Sequence, residues 1–207
     1  MEPHVIEQFM PSWDVLKMEE YNCSIVRPPG VAWTRAEGET QVLFGVWSFC
    51  FGIITELLYI PCVYALYREL KHTCYKIMFY LAIVDIIALF CNSCSYGVLL
   101  LIGAVYCSYP GYIWVTGALG LGMWCAACIG CLLLVCNRLL ELLNLTFITE
   151  GHRTYYVLAI AFTYAVYFTV FTPPSYISLP HTANNVVIVT ASASLYLLLC
   201  IVVVLKR

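Results

Sequence analysis

Five apolar runs, at about 42–67, 76–102, 112–137, 154–173 and 185–205, dominate this chain of 207 residues. Each is long enough to cross a hydrocarbon layer of about 30 Å as an α-helix rising about 1.5 Å per residue. A backbone in lipid must satisfy its own hydrogen bonds, which leaves helices or closed barrels. The alternating ten-residue segments of a membrane barrel are absent from the sequence, so helices are expected. Composition agrees: 62% of residues are hydrophobic and 11% charged. A water-soluble surface needs far more charge than that. The expected fold class is therefore an all-α membrane protein with five transmembrane helices. The fourth run, rich in Thr and Tyr, admits one other reading, a buried helix of ordinary globular type.

Two regions follow, a tail over 1–40 and a polytopic helical domain over 41–207. The tail holds seven acids against Lys17, Arg27 and Arg35, with the turn-forming Arg27-Pro28-Pro29-Gly30. It has no apolar run long enough for the core of a signal peptide, so the first helix is expected to act as its own insertion signal. Beyond residue 40 the basic residues are Arg68, Lys71, Lys76, Arg138, Arg153, Lys206 and Arg207, while the connections at about 103–111 and 174–184 contain none. By the positive-inside rule the basic connections are cytoplasmic, the N-terminal tail outside and the C-terminus inside. Two sequons test that orientation: Asn22-Cys23-Ser24 falls outside and is expected to carry a glycan, and Asn144-Leu145-Thr146 falls inside and is not.

Of twelve cysteines, ten lie in the apolar runs or at their inner ends, and only Cys23 and Cys107 fall on the oxidising face. They form the one sensible disulfide, from tail to first outer connection. The spacings Cys91-x2-Cys94 and Cys125-x2-Cys128-x2-Cys131 suggest a metal site at first sight. They sit in apolar helices without a nearby His or acid, and small, soft, buried thiols account for them. The stripe Gly122-x3-Ala126-x3-Gly130 permits close helix approach.

Two acids lie within the spans. Glu56 is roughly 11 residues from the inner end of its helix and Asp85 about ten from the inner end of the next, so both fall near 15 Å depth at about 1.5 Å per residue. Such a charge is expensive and faces a cavity or a partner. Two close carboxylates do not both remain charged unaided, so either one is protonated or both share a cation. The plainer alternative is that each is neutral and hydrogen-bonds between helices.

Several functions are excluded. A net charge of −2 offers no basic patch for nucleic acid. No nucleophile–base set, phosphate loop or metal-ligand spacing points to an enzyme. A transporter or channel subunit relaying protons through Glu56 and Asp85 is the alternative from another class, but internal repeats and broken helices are not evident.

The residues also carry a family resemblance. Leu81-Ala82-Ile83-Val84-Asp85 is similar to the L-A-x-x-D pattern of rhodopsin-like receptors, and Asn137-Arg138 to their D-R-Y position. More specifically, the chain resembles the nematode seven-helix chemoreceptors called serpentine receptor class T. The matching stretches are Tyr21-Asn22-Cys23, Glu56-Leu57-Leu58-Tyr59-Ile60-Pro61-Cys62, Cys74-Tyr75-Lys76-Ile77-Met78, Gly103-Ala104-Val105-Tyr106-Cys107 and Asn137-Arg138. The resemblance is good over about 21–140 and weaker over 154–207.

It implies a receptor in the plasma membrane of a sensory cell, detecting an external small molecule and signalling to a heterotrimeric G protein. Asn137 and Arg138 would face that G protein, although an Asn in place of the usual acid can only hydrogen-bond and Leu139 replaces the Tyr. Glu56 and Asp85 would form a polar cluster for Na⁺ or a proton; no other cofactor is implied. Trp114, Thr116, Met123, Trp124 and Tyr176 would line a ligand cavity in the outer half of the bundle, the bland reading being aromatic anchors at the interface. The second outer connection has no cysteine, so the disulfide to the third helix found in rhodopsin-like receptors cannot form. The five helices correspond to the first five of seven. The expectation is a truncated chain that does not signal alone, with association with other receptors as a further role.

Overall fold

The computed structural model describes Cys23 and residues 38–145, 151–171 and 179–205. All regular structure in these residues is helical. The helices are α1 (Val42–Arg68), α2 (Thr73–Leu101), α3 (Pro110–Leu142), α4 (Arg153–Phe171) and α5 (Leu179–Leu205). The first four are long and apolar enough to cross a membrane, the fourth at a mean hydropathy of 1.5; α5 contributes the shorter apolar stretch Thr190–Val203.

Local chemistry sets the ends. Arg68 closes α1, where a cation complements the helix dipole. Pro110 opens α3 at the position where a missing N–H costs nothing. Pro61 lies inside α1, where the lost hydrogen bond is tolerated because neighbouring groups in a membrane bundle re-satisfy the backbone. Gly103 adopts a φ of +61°, which only glycine takes without strain, and so turns the chain sharply after α2. Its carbonyl accepts the Gly38 N–H at 2.8 Å, and the Leu100 carbonyl accepts the Gln41 N–H at 3.0 Å. The segment before α1 is thus sewn to the end of α2.

Helix α2 is not uniform. Between α-helical stretches Thr73–Leu89 and Tyr96–Leu101 it widens into a π-helical turn over Phe90–Ser95. Ser48 of α1 bonds into this turn: its Oγ donates to the Ser93 carbonyl at 3.1 Å, and Ser93 Oγ donates to the Ser48 carbonyl at 2.8 Å. A π turn leaves backbone carbonyls with poor internal partners, and the serine exchange supplies one.

The core is built from small residues around α3. Val84, Met123, Ala126 and Ala165 cluster with Tyr80, Ala88 and Ala127 packed against them. Without a hydrophobic force between helices in lipid, close van der Waals packing of small residues drives association. The glycine stripe of α3 turns as the helix runs: Gly122 faces Ala165 and Thr169 of α4, while Gly130 faces Tyr80 and Leu81 of α2. The buried residues of α1 are Gly45 and Gly52. Its large side chains point outward, with Leu43 79% and Trp47 71% exposed, as befits a face solvated by lipid. Gly45 meets Gly97 and Leu101, and Gly52 meets Ser93 and Cys94.

At the opposite end, where the basic residues gather, Lys76 Nζ donates to the Gly151 carbonyl at 3.4 Å and sits 4.8 Å from the centroid of the Tyr155 ring. Thr154 Oγ1 donates to Thr73 Oγ1 at 3.5 Å. The start of α4 is therefore clasped to the start of α2.

Candidate ligand cavities and coupling end

Chemistry is concentrated at three levels of the bundle. At the Gly103 end, a short 3-10 turn over Tyr106–Ser108 presents Cys107, which is disulfide-bonded to Cys23 with a Cα–Cα distance of 5.6 Å. Burial raises the Tyr106 phenol above its ordinary pKa. Asn22 and Tyr176 lie outside the described residues.

Below this end two cavities open beside the π turn. The smaller, about 310 Å³, lies between α2 and α3 and is lined by Cys91, Asn92, Tyr96, Leu99, Ile113, Thr116 and Gly117. The larger, about 470 Å³, reaches α1 and includes Tyr59, Asp85, Asn92 and Trp124 in its wall. Of the residues expected to line a ligand site, Thr116 is in the smaller wall and Trp124 in the larger. Trp114 is half-buried, with an Nε1 that has no hydrogen-bond partner. Met123 lines neither: it is spent in the core against Val84, Ala126 and Ala165. Its spacing from Trp124 conceals this, because adjacent helical residues point about 100° apart. Sequence reasoning missed Asn92, which borders both cavities; a carboxamide within an apolar run was the available signal.

At mid-depth Asp85 is partnered by a tyrosine of α1, and no hydrogen bond joins it to Glu56. Tyr59 of α1 donates its phenol proton to Asp85 Oδ2 at 2.8 Å. Glu56 lies one helical turn before Tyr59, and its buried Oε1 has no hydrogen-bond partner. Tyr59, three residues after Glu56 and so on the same side of the helix, makes the reach to Asp85. Among the described residues no group of three or more His, Cys, Asp or Glu side chains gathers to hold a metal ion.

At the basic end, α3 runs on to Leu142, past the limit of 137 expected from hydropathy, and this extension adds Glu141 to the helix. The carboxylate of Glu141 takes two donors, Asn137 Nδ2 on Oε1 at 2.7 Å and Arg138 Nη1 on Oε2 at 2.9 Å. Asn137 is 1% exposed, and its Oδ1 has no partner. The Arg138 and Glu141 side chains are 50% and 35% exposed. The acid missing from the position before Arg138 is thus supplied from three residues after it, a spacing that brings helical side chains together. A cavity of about 380 Å³ opens here between Arg138, Glu141 and Leu142 of α3 and Leu199 and Val203 of α5. Asn144, just beyond, has a φ of 59° and turns the chain away.

The family model described as serpentine type 7TM GPCR chemoreceptor Srt matches residues 8–178. No curated protein and no solved structure matches the chain significantly. The matched residues take in the disulfide, the cavities beside the π turn and the Asn137–Arg138–Glu141 cluster, and apolar helices fill most of their length. The chain belongs to the Srt family of serpentine chemoreceptors, multi-pass membrane proteins of the G-protein-coupled receptor class.

Proposed function

We propose that this protein detects an external small molecule at the cavities beside the π turn and engages a heterotrimeric G protein at its basic end. In this reading the disulfide end and tail face outward, the basic connections face the cytoplasm, and the membrane is the plasma membrane of a sensory cell. The observation that carries it is the placement of Arg138 beside an open cavity at the basic end of α3, within a chain of a chemoreceptor family. The guanidinium is half-exposed and bound to Glu141, so it is available to an incoming protein yet restrained until one arrives. Glu141 here does the restraining that an acid before the arginine would do.

The test is binding of nucleotide-free heterotrimeric G protein to the chain in lipid nanodiscs. Arg138→Ala is expected to weaken binding about tenfold, equal to roughly 1.4 kcal/mol, just below the lower end for a hydrogen bond to a charged group, as suits a half-exposed side chain. Equal binding by Arg138→Ala and the unsubstituted chain would sink the assignment.

Glu56 and Asp85 are read in the same proposal as a polar cluster for Na⁺ or a proton. Asp85 accepts the Tyr59 hydrogen bond, and the unpartnered Glu56 oxygen supplies a further acceptor. Thermal stability is expected to rise with Na⁺, and Asp85→Asn to remove that dependence. Sensitivity to Na⁺ that survives the substitution counts against the cation.

A further inference from the structure

The polar groups around the two cavities differ in what they are free to do. Thr55 Oγ1 donates to the Phe51 carbonyl at 2.7 Å, Thr116 Oγ1 to the Tyr112 carbonyl at 2.8 Å, and Ser93 Oγ to the Ser48 carbonyl at 2.8 Å. Tyr59 donates to Asp85. Every one of these hydroxyls has its proton committed to the protein. The Asn92 carboxamide does not: it makes no hydrogen bond among the described residues. It brings two N–H donors and a carbonyl into a segment where an unmet polar group is costly.

Its placement follows from the backbone. Asn92 is the third residue of the π turn. An inserted residue in such a turn shifts the register of everything after it relative to a continuous α-helix. The amide lies against Gly120 of α3, where a side chain would collide with its Oδ1. The glycine thus leaves room for a polar group between two helices and closes no bond to it. On the far side of Asn92, Tyr96 lines the same smaller cavity, and its phenol also makes no hydrogen bond among the described residues. The remaining wall is Cys91, Leu99, Ile113, Thr116 and Gly117, with no charged side chain.

We propose that the smaller cavity is a binding site for a small, uncharged, mainly apolar molecule with one hydrogen-bonding group, such as a ketone or alcohol, and that Asn92 is its polar anchor. The Nδ2 protons would meet a ligand oxygen, and Tyr96 would take the second contact when the ligand is an alcohol or ketone. A volume of about 310 Å³ is at the small end of ligand pockets, which suits a molecule of a few heavy atoms. A charged ligand finds no counter-ion in this wall and would lose its hydration without return. The proposal rests on the chemoreceptor reading for its direction of access, but the binding it predicts does not depend on a G protein.

The test uses three probes of matched chain length, 2-hexanone, 1-hexanol and n-hexane. Each is measured by headspace gas chromatography over nanodiscs with the chain and over empty nanodiscs of the same lipid, so that partition into lipid is subtracted. The ketone and the alcohol are expected to bind about fivefold more tightly than the alkane, the size of one hydrogen bond. Asn92→Leu should bring all three within about twofold while leaving alkane binding in place. Tyr96→Phe should weaken the two oxygenated probes by a smaller factor, and keeps the proposal open to refutation if Asn92→Leu does not fold. Equal binding of the three probes by the unsubstituted chain, unchanged discrimination in Asn92→Leu, or no binding of any probe would each overturn it. Binding that follows the expected pattern while Arg138→Ala leaves G-protein binding unaltered would retain this site and remove the receptor reading alone.

Discussion

A leucine in place of Gly97 is expected to separate α1 from α2 and leave the protein without a stable fold in detergent. A Cβ at Gly97 stands 2.7 Å from the Phe49 backbone nitrogen and 2.9 Å from the Gly45 carbonyl oxygen. Both neighbours are backbone, so neither yields by rotating a side chain. Overpacking a core costs about 1–3 kcal/mol where side chains can shift, and the upper end or more applies where they cannot. The remedy open to the chain is to move α1 away, which also breaks the serine exchange between Ser48 and Ser93. Gly111→Leu is the control, since nothing lies within 4 Å of a Cβ there. Thermal unfolding of the two variants decides the matter. A Gly97→Leu protein that melts together with Gly111→Leu would show that the seam is not backbone against backbone.

The second large effect concerns Glu141. Glutamine at this position keeps an oxygen for Asn137 Nδ2 but removes the charge that holds Arg138. With both ionic side chains substantially exposed, solvent screens the pair, and such pairs contribute about 0.2–1 kcal/mol. Release of that restraint is expected to strengthen binding of nucleotide-free G protein by no more than about fivefold. Arg138→Ala moves binding the other way, and Glu141→Gln combined with Arg138→Ala should resemble Arg138→Ala alone. Weaker binding by Glu141→Gln would mean that the carboxylate itself contacts the G protein. No change would mean that Arg138 is not restrained.

These two sites differ in how far the sequence discloses them. The spans are plain because an apolar run of sufficient length has one stable form in lipid, and the limits of α1 and α4 follow hydropathy closely. Hydropathy fails where a helix leaves the membrane but continues: α3 goes on through Arg138 and Glu141 because Leu139 is buried against the bundle and the helical spacing satisfies the charges. That is why Asn137 reads in isolation as a position unable to restrain its neighbour. The π turn is hidden for a different reason. Phe90–Ser95 holds three polar residues, Asn92, Ser93 and Ser95, but an ordinary α-helical turn accommodates the same residues, and the inserted residue shows only in the hydrogen-bond ladder. With it goes the placement of Asn92. Tyr59 was visible in the sequence beside Glu56, but which of two residues one turn apart reaches across to Asp85 depends on the rotation of α1, which its two glycines set.

Those glycines have a mechanical consequence. Gly45 and Gly52 are seven residues apart, and each receives a different part of α2. A helix held in this way has no intermediate stops. To slide along its neighbour and find the recesses aligned again, α1 would have to travel two full turns, about 10 Å. Smaller displacements drive backbone into backbone. Helix α1 and the adjoining part of α2 are therefore expected to behave as one stiff plate with a single register, which leaves sliding of α1 along α2 out of the motions open to this bundle.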